Sequence, residues 1–234
     1  MGKVIYKSLA FTGDIHGDIY LLALYCPENT NLIVCGDIGL GWASTLDQME
    51  EADAMVTSKN STLYLFRGNH DNPDMFIHPS GPYKNIKICK DFTTLRLNGY
   101  SILLWGGARS VDKTHRTPNK SWWEGERVLP LPKIRRKVDI VCTHTAPSYC
   151  APANDYGLVS WAQWDPTVVE ECHQERALLD QGYEYLASKP YNTLEYWFYG
   201  HFHEHNEGVK DKTKFVGLDM LREKPDIFTV KIIK

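Results

Sequence analysis

Long apolar runs are missing from this 234-residue sequence. None approaches the ~20 residues that cross a bilayer, and the amino-terminal MGKVIYKSLAF holds none long enough for a signal-peptide core. Met1-Gly2 also lacks the Ser or Thr that a myristoylation signal requires where Tyr6 stands. These absences predict a cytoplasmic protein with no membrane association. CxxC pairs are missing too: Cys26, Cys35, Cys89, Cys142, Cys150 and Cys172 stand apart, which supports neither a disulfide framework nor a zinc-thiolate site. They read as reduced, mostly buried thiols. Neither sign of charge is in excess. Lys plus Arg number 26 against 29 Asp plus Glu, a net charge of -3, which excludes a wholesale electrostatic grip on nucleic acid or anionic lipid. A nucleic-acid or nucleotide substrate is left open but not indicated, and the oligomeric state is not legible. With no repeat, no low-complexity tract and no Gly/Ser-rich linker, residues 1–234 are expected to form one domain around one core.

What is present is a series of short apolar runs that end in Gly and a polar residue. LAFTGD (9 to 14), LIVCGD (32 to 37) and LYLFRGN (63 to 69) each read as a buried strand. Between the second and third lies LDQMEEADAMVTS, a helical pattern with Ser44 or Thr45 as its expected cap. Strand, helix, strand predicts parallel pairing, while Asn98-Gly99 between TTLRL and YSILLWGG predicts a hairpin. VDIVCTH (138 to 144), YWFYGH (196 to 201), KFVGLDM and DIFTVKIIK read as further strands. Asp165-Pro166 is expected to cap and open a long helix to about Ala187. The fold class is therefore α/β, with a mixed sheet system of at least nine strands.

Several of these strand ends carry groups able to bind metal. They are Asp14 and His16 in GDIHGD, Asp37 in GDIGLGW, Asn69 with His70 and Asp71 in GNHD, His144 in VCTHTAP, and His201 and His203 in GHFH. Each alone also fits a turn carboxylate or a hydrogen-bonded core histidine. Five repetitions of strand end followed by ligand are what decide the matter, because α/β sheets bind ligands beyond the carboxyl ends of their strands. The donor set of carboxylate, amide and imidazole suits two borderline divalent ions such as Mn, Fe or Zn, and not one structural tetrahedral zinc.

In this order the blocks GDIHG, GD, GNHD, TH and GHFH resemble the calcineurin-like metallophosphoesterase superfamily over residues 13 to 203. The resemblance implies a four-layer sandwich of two mixed β-sheets flanked by helices. It implies two divalent cations, manganese first, with iron, zinc, nickel and magnesium as alternatives. Asp14, His16, Asp37 and His203 would hold one ion, and Asp37 as bridge, Asn69, His144 and His201 the other. The implied activity is hydrolysis of a phosphomonoester or phosphodiester substrate by in-line attack of a metal-bridging hydroxide. His70 would be the catalytic imidazole, with Asp71 orienting its ring.

The protein Ser/Thr phosphatase branch is disfavoured: IGLGW follows Asp37 where those enzymes carry Asp-Arg-Gly, and Asp71 stands where they have Glu. A non-catalytic scaffold of the same fold for protein partners would be expected to have lost His70 or a ligand, and none is missing. The segment at 106–126 resembles a block of bacterial and phage members and supplies Arg109, Lys113, Arg116, Trp122 and Trp123. Arg67 and Arg109 are candidate phosphate clamps, and Trp122 and Trp123 candidate stacking surfaces for substrate.

Overall fold

The computed structural model describes residues 7–79, 81–150 and 156–230. Its first sheet has the order β11-β1-β2-β3-β4. The strands β1 (Ser8–Thr12), β2 (Thr30–Val34), β3 (Thr62–Leu65) and β4 (Ile86–Ile88) pair in parallel, and β11 (Phe228–Val230) pairs antiparallel with β1. The second sheet runs β5-β6-β7-β8-β10-β9. In it β6 (Tyr100–Trp105), β7 (Ile140–Thr143), β8 (Tyr196–Tyr199) and β10 (Thr213–Gly217) are parallel, flanked by antiparallel β5 (Thr94–Leu97) and β9 (Asn206–Lys210). Both sheets are mixed, as expected, and both β5–β6 and the Asn98-Gly99 turn form the predicted hairpin. Positive φ at Asn98 (53°) and Gly99 (86°) gives the turn the twist that strands need.

Alternation along β1 shows how the layers are built. Leu9 and Phe11 point between the sheets, where they meet Ile33, Ile102, Leu104, Ile140, Phe198 and Val216. Phe11 and Phe198 stack there with ring centroids 3.9 Å apart. Ala10 points the other way, into a core shared with α1 (Ile19–Tyr25) and α2 (Ala43–Ser58). On the outer face of the second sheet, α5 (Val168–Ala187) buries Leu179, Tyr183 and Leu186 against Leu103, Trp105 and Trp197. Helix, sheet, sheet, helix is the four-layer arrangement. Two short helices, α3 (Asp74–Ile77) and α4 (Tyr156–Trp161), complete the α elements among the described residues. No described helix is long and apolar enough to cross a membrane.

Two helix starts differ from expectation. Helix α2 begins at Ala43 with Trp42 at its cap position, so Ser44 and Thr45 lie inside its first turn and no side chain caps it. Helix α5 begins at Val168, two residues beyond Pro166, because Asp165 Oδ1 accepts from the Thr167 N–H (3.1 Å) and hydroxyl (2.8 Å) in a local turn instead. The last expected strand is formed at 228–230, and residues 231–234 lie outside the described residues. All six cysteines are free and buried.

Candidate metal centre

The loops that follow β1, β2, β3, β7 and β8 converge at one end of the sandwich. Those after β1, β2 and β8 leave their strands through a sharp reversal: His16, Asp37, His201 and His203 all have positive φ, between 43° and 69°. Such backbone is costly for residues with a side chain and persists where the surroundings over-determine it. The glycines before the ligands are needed for close approach. A Cβ on Gly68 would lie 2.1 Å from Asp37 Oδ1, and one on Gly200 would lie 2.2 Å from Asp14 Oδ1.

Three sets of potential ligand atoms gather within 4.8 Å: Asp14, His16 and His203; His16, Asp37 and His70; and Asp14, Asp37 and His144. In the first, His16 Nε2 and His203 Nε2 face each other at 3.0 Å, and Asp14 Oδ2 is 3.0 Å from His203 Nε2 and 3.7 Å from His16 Nε2. Ligands at ~2.1 Å from one ion and at right angles are ~3.0 Å apart, so these spacings fit a shared cation. Asp14 is fully buried, and its Oδ1 accepts the His201 backbone N–H at 2.8 Å. Its Oδ2 lies off the line a hydrogen bond to His203 needs and has no hydrogen-bond partner, an orphaned acceptor of the kind a cation satisfies.

The other cluster is built on His144. Its Nδ1 donates to the Cys35 carbonyl at 2.7 Å, which turns Nε2 toward Asn69 Oδ1 (2.9 Å) and Asp37 Oδ1 (3.2 Å). A carbonyl that fixes the ring through its other nitrogen is the usual support for a metal-binding histidine. Asn69 is oriented in turn, because its Nδ2 donates to Ser110 Oγ (3.0 Å) and that hydroxyl donates to Glu126 (2.5 Å). His201 places its ring centroid 5.0 Å from that of His144 and lines a cavity with Asp37 and Asn69, although its nitrogens are in none of the three close sets.

The electrostatics favour a cation. Burial opposes charge on His144, yet the carboxylates of Asp37 and Asp14 outweigh it and lift the imidazole to about 10. Burial likewise opposes charge on Asp37, but His144, His70 and His16 hold its carboxyl well below the usual range. Asp14 beside it raises His203, whereas burial and then His144 push His201 well below the ordinary imidazole value. A field that holds protons on imidazoles holds divalent metal in their place, with release of those protons. Donor set, orphaned oxygen and field all fit divalent metal.

His70 sits at the rim, its backbone N–H donating to Asp37 Oδ1 at 2.7 Å and its Nε2 3.8 Å from Asp37 Oδ2. Burial drives its pKa down to about 4, with the Asp37 carboxylate opposing and Arg116 reinforcing the shift. Asp71 is directed elsewhere. Its carboxylate accepts the backbone N–H groups of Gly68 (2.7 Å), Leu40 (2.7 Å) and Ile38 (3.2 Å), tying the loop after β3 to the loop after β2. These bonds leave the His70 ring to other partners. Burial, then the Asp37 carboxylate, raises Asp71 to about 7.

The sequence of this chain matches the calcineurin-like phosphoesterase family profile over residues 7–205. The chain belongs to that family. No curated protein matches it in sequence. Among solved structures it overlays on the Thermus thermophilus protein TT1561 with a TM-score of 0.48 at 11% identity, over 92% of this chain and 90% of that one. A Thermotoga maritima protein solved by solution NMR gives 0.36 at 15% identity, over 92% and 85% of the two chains. An NAD nucleotidase from Haemophilus influenzae gives 0.37 at 12%, over 91% of this chain and 44% of that one.

Around this family centre, the cationic and aromatic side chains fall out differently from their order in the sequence. The Arg67 guanidinium donates to Asp91 (2.8 Å) and to the carbonyls of Gly125, Glu126 and Arg127. Arg109 is buried and held by Glu171 (2.5 Å) and Asp165. Trp122 lies under Lys113 Nζ, 4.6 Å from its ring centre, and Trp123 is buried. The two arginines fasten segment 106–126 to the body of the fold, and none of the four residues lines the cavity over the ligand clusters. That cavity, about 170 Å³, is walled by Asp37, Asn69, His70, Asp112, Arg116, Trp161, His201 and His203. Ser110, Arg116, Glu126 and Trp161 are thus the neighbours that sequence reasoning did not select. The only signal for three of them was their place in the segment 106–126.

Proposed function

We propose that this chain is a metal-dependent phosphoesterase that hydrolyses a phosphomonoester or phosphodiester by in-line displacement at phosphorus. The observation that carries this reading is the position of Asp37. Its Oδ1 is 3.2 Å from His144 Nε2, and its Oδ2 is 4.0 Å from His16 Nε2. A carboxylate divided between two donor clusters suits a pair of divalent cations, manganese first. Asp14, His16, Asp37 and His203 would hold one, and Asp37, Asn69, His144 and His201 the other. Bound there, the pair supplies a lowered water pKa and neutralises charge on the phosphoryl oxygens.

The chain's own groups do the rest. His70, at the rim of the clusters, hydrogen-bonds the leaving-group oxygen as charge develops on it. Arg116, beside it, receives a phosphoryl oxygen on its guanidinium. Asp71 keeps the two loops in register, so that His70 and Asp37 face the same reacting atoms. Six buried free thiols suit a reducing compartment, which supports a cytoplasmic location.

Purified protein loaded with Mn is expected to hydrolyse a bis-aryl or mono-aryl phosphate ester, and Asp37→Asn to lose most of that rate. No turnover with any of a panel of metals and esters would favour a non-catalytic scaffold instead. The same panel, extended to cyclic nucleotides, nucleoside polyphosphates, phosphopeptides and oligonucleotides, separates monoesterase from diesterase.

A further inference from the structure

A second cavity, about 340 Å³, opens beside the one over the ligand clusters and shares Val111, Trp161 and His201 with it. The two cavities therefore adjoin at these residues, so the organic half of a substrate whose phosphorus lay over Asp37 would be directed toward this space. Its walls are mainly apolar and aromatic: Val111, Leu158, Trp161 and Phe202. Its polar groups are Thr145 and Glu175, both buried at the wall, the shared His201, and Arg176, whose guanidinium lies over the Phe202 ring at 5.6 Å. Ligand cavities of about 300–1,000 Å³ take small molecules, with apolar walls supplying affinity and a few polar groups fixing orientation.

We infer that this cavity receives the organic half of the ester, and that this half is a flat ring with a polar edge, as in a nucleoside phosphate. The inference rests on the phosphoesterase reading for the placement of the phosphate. Trp161 and Phe202 supply faces against which a base packs, a contact that tolerates any base because every base has a π-face. Thr145 offers a hydroxyl to its edge.

The test compares adenosine 5′-monophosphate with ribose 5-phosphate, which carry the same primary alkoxide leaving group and differ in the base. Binding is measured by titration calorimetry and turnover by phosphate release, both with Mn-loaded protein. Adenosine 5′-monophosphate is expected to bind at least tenfold more tightly. Trp161→Ala should bring the affinity ratio close to one, and Trp161→Phe should retain most of it. Equal affinities in the unaltered protein, or a ratio unmoved by Trp161→Ala in protein of unchanged metal content, would overturn the assignment of the cavity. Turnover judges the other reading. A base-dependent affinity without hydrolysis of any ester would sink the phosphoesterase and leave the cavity's role standing. Hydrolysis of both esters at equal affinity would do the reverse.

Discussion

The guanidinium of Arg116 donates to Nε2 of His70, and Asp112 Oδ1 lies 2.7 Å from the same terminal nitrogen. The imidazole nitrogen that faces the cavity is therefore covered by a planar cation. A phosphoryl group bound there would offer that cation a better acceptor and free His70 Nε2 to carry the proton that a leaving-group oxygen needs.

Arg116→Ala is accordingly expected to lower kcat/KM for a phosphate ester by about 10²–10³-fold, the usual cost of losing one preorganised donor at a developing charge. Arg116→Lys should recover only part of that loss, since a point charge cannot both contact Asp112 and present a fork. Steady-state kinetics on the Mn-loaded variants checks this. Equal rates for Arg116→Ala and the unaltered protein would remove Arg116 from the site.

Gly68 gives a second expectation. A methyl group there would meet Asp37 Oδ1 at 2.1 Å, the Asp37 amide nitrogen at 2.3 Å and His144 Nε2 at 2.8 Å, all atoms of two candidate ligand residues. Gly68→Ala should lower stability by about 1–3 kcal/mol through overpacking. It should also reduce bound metal well below that of the parent. Metal analysis after dialysis and a urea titration read the two effects separately.

Glu175 gives a pH dependence that is independent of the metal ligands. It is buried on α5 beside Val128, Arg127 and Glu126, and burial lifts its carboxyl to about 7 against the opposing backbone donors of Arg109 and Val128. The ordinary value is 4.5, so between 4.5 and 7 the folded state binds the proton more tightly than the unfolded chain does. Its stabilising contribution is complete below the unfolded value and is lost as pH rises through about 7. The loss is on the order of 3 kcal/mol. Glu175→Gln should flatten this part of the stability curve, so that its advantage over the parent in urea midpoint is larger at pH 8 than at pH 5. An unchanged difference at the two pH values would count against a buried, protonated Glu175.

The legibility of the molecule follows from range. Strands such as 30–34 are buried along their whole length, so their apolar runs stand out, and the ligands follow them directly in sequence. The edge strand Asn206–Lys210 is half-buried or exposed throughout and leaves no apolar pattern to read. Guanidinium roles were not legible for a similar reason. Arg67, Arg109 and Arg116 look alike in sequence, and what separates them is a carboxylate partner: Asp91 lies 24 residues from Arg67, and Glu171 lies 62 from Arg109. Asp112, only four residues before Arg116, leaves that guanidinium at the cavity instead of drawing it into the fold.

Asp71 separates loop positioning from ring orientation. Its carboxylate is the acceptor for three buried backbone N–H groups, those of Ile38, Leu40 and Gly68. Leaving a buried donor without a partner costs about 1–3 kcal/mol. Asp71→Ala should therefore destabilise the fold by at least about 3 kcal/mol, seen as a large fall in the urea midpoint, and Asp71→Asn should recover only part because its amide brings donors to a site that needs acceptors. His70→Ala, at the partly exposed rim, should move the midpoint far less than the Asp71 variants do and lower kcat. If Asp71 acted through the imidazole alone, its substitution would instead lower kcat in step with His70→Ala, and the double variant would be no less stable than either single one. A midpoint shift confined to the Asp71 variants would show that this carboxylate holds the two loops together and so fixes the distance between Asp37 and His70.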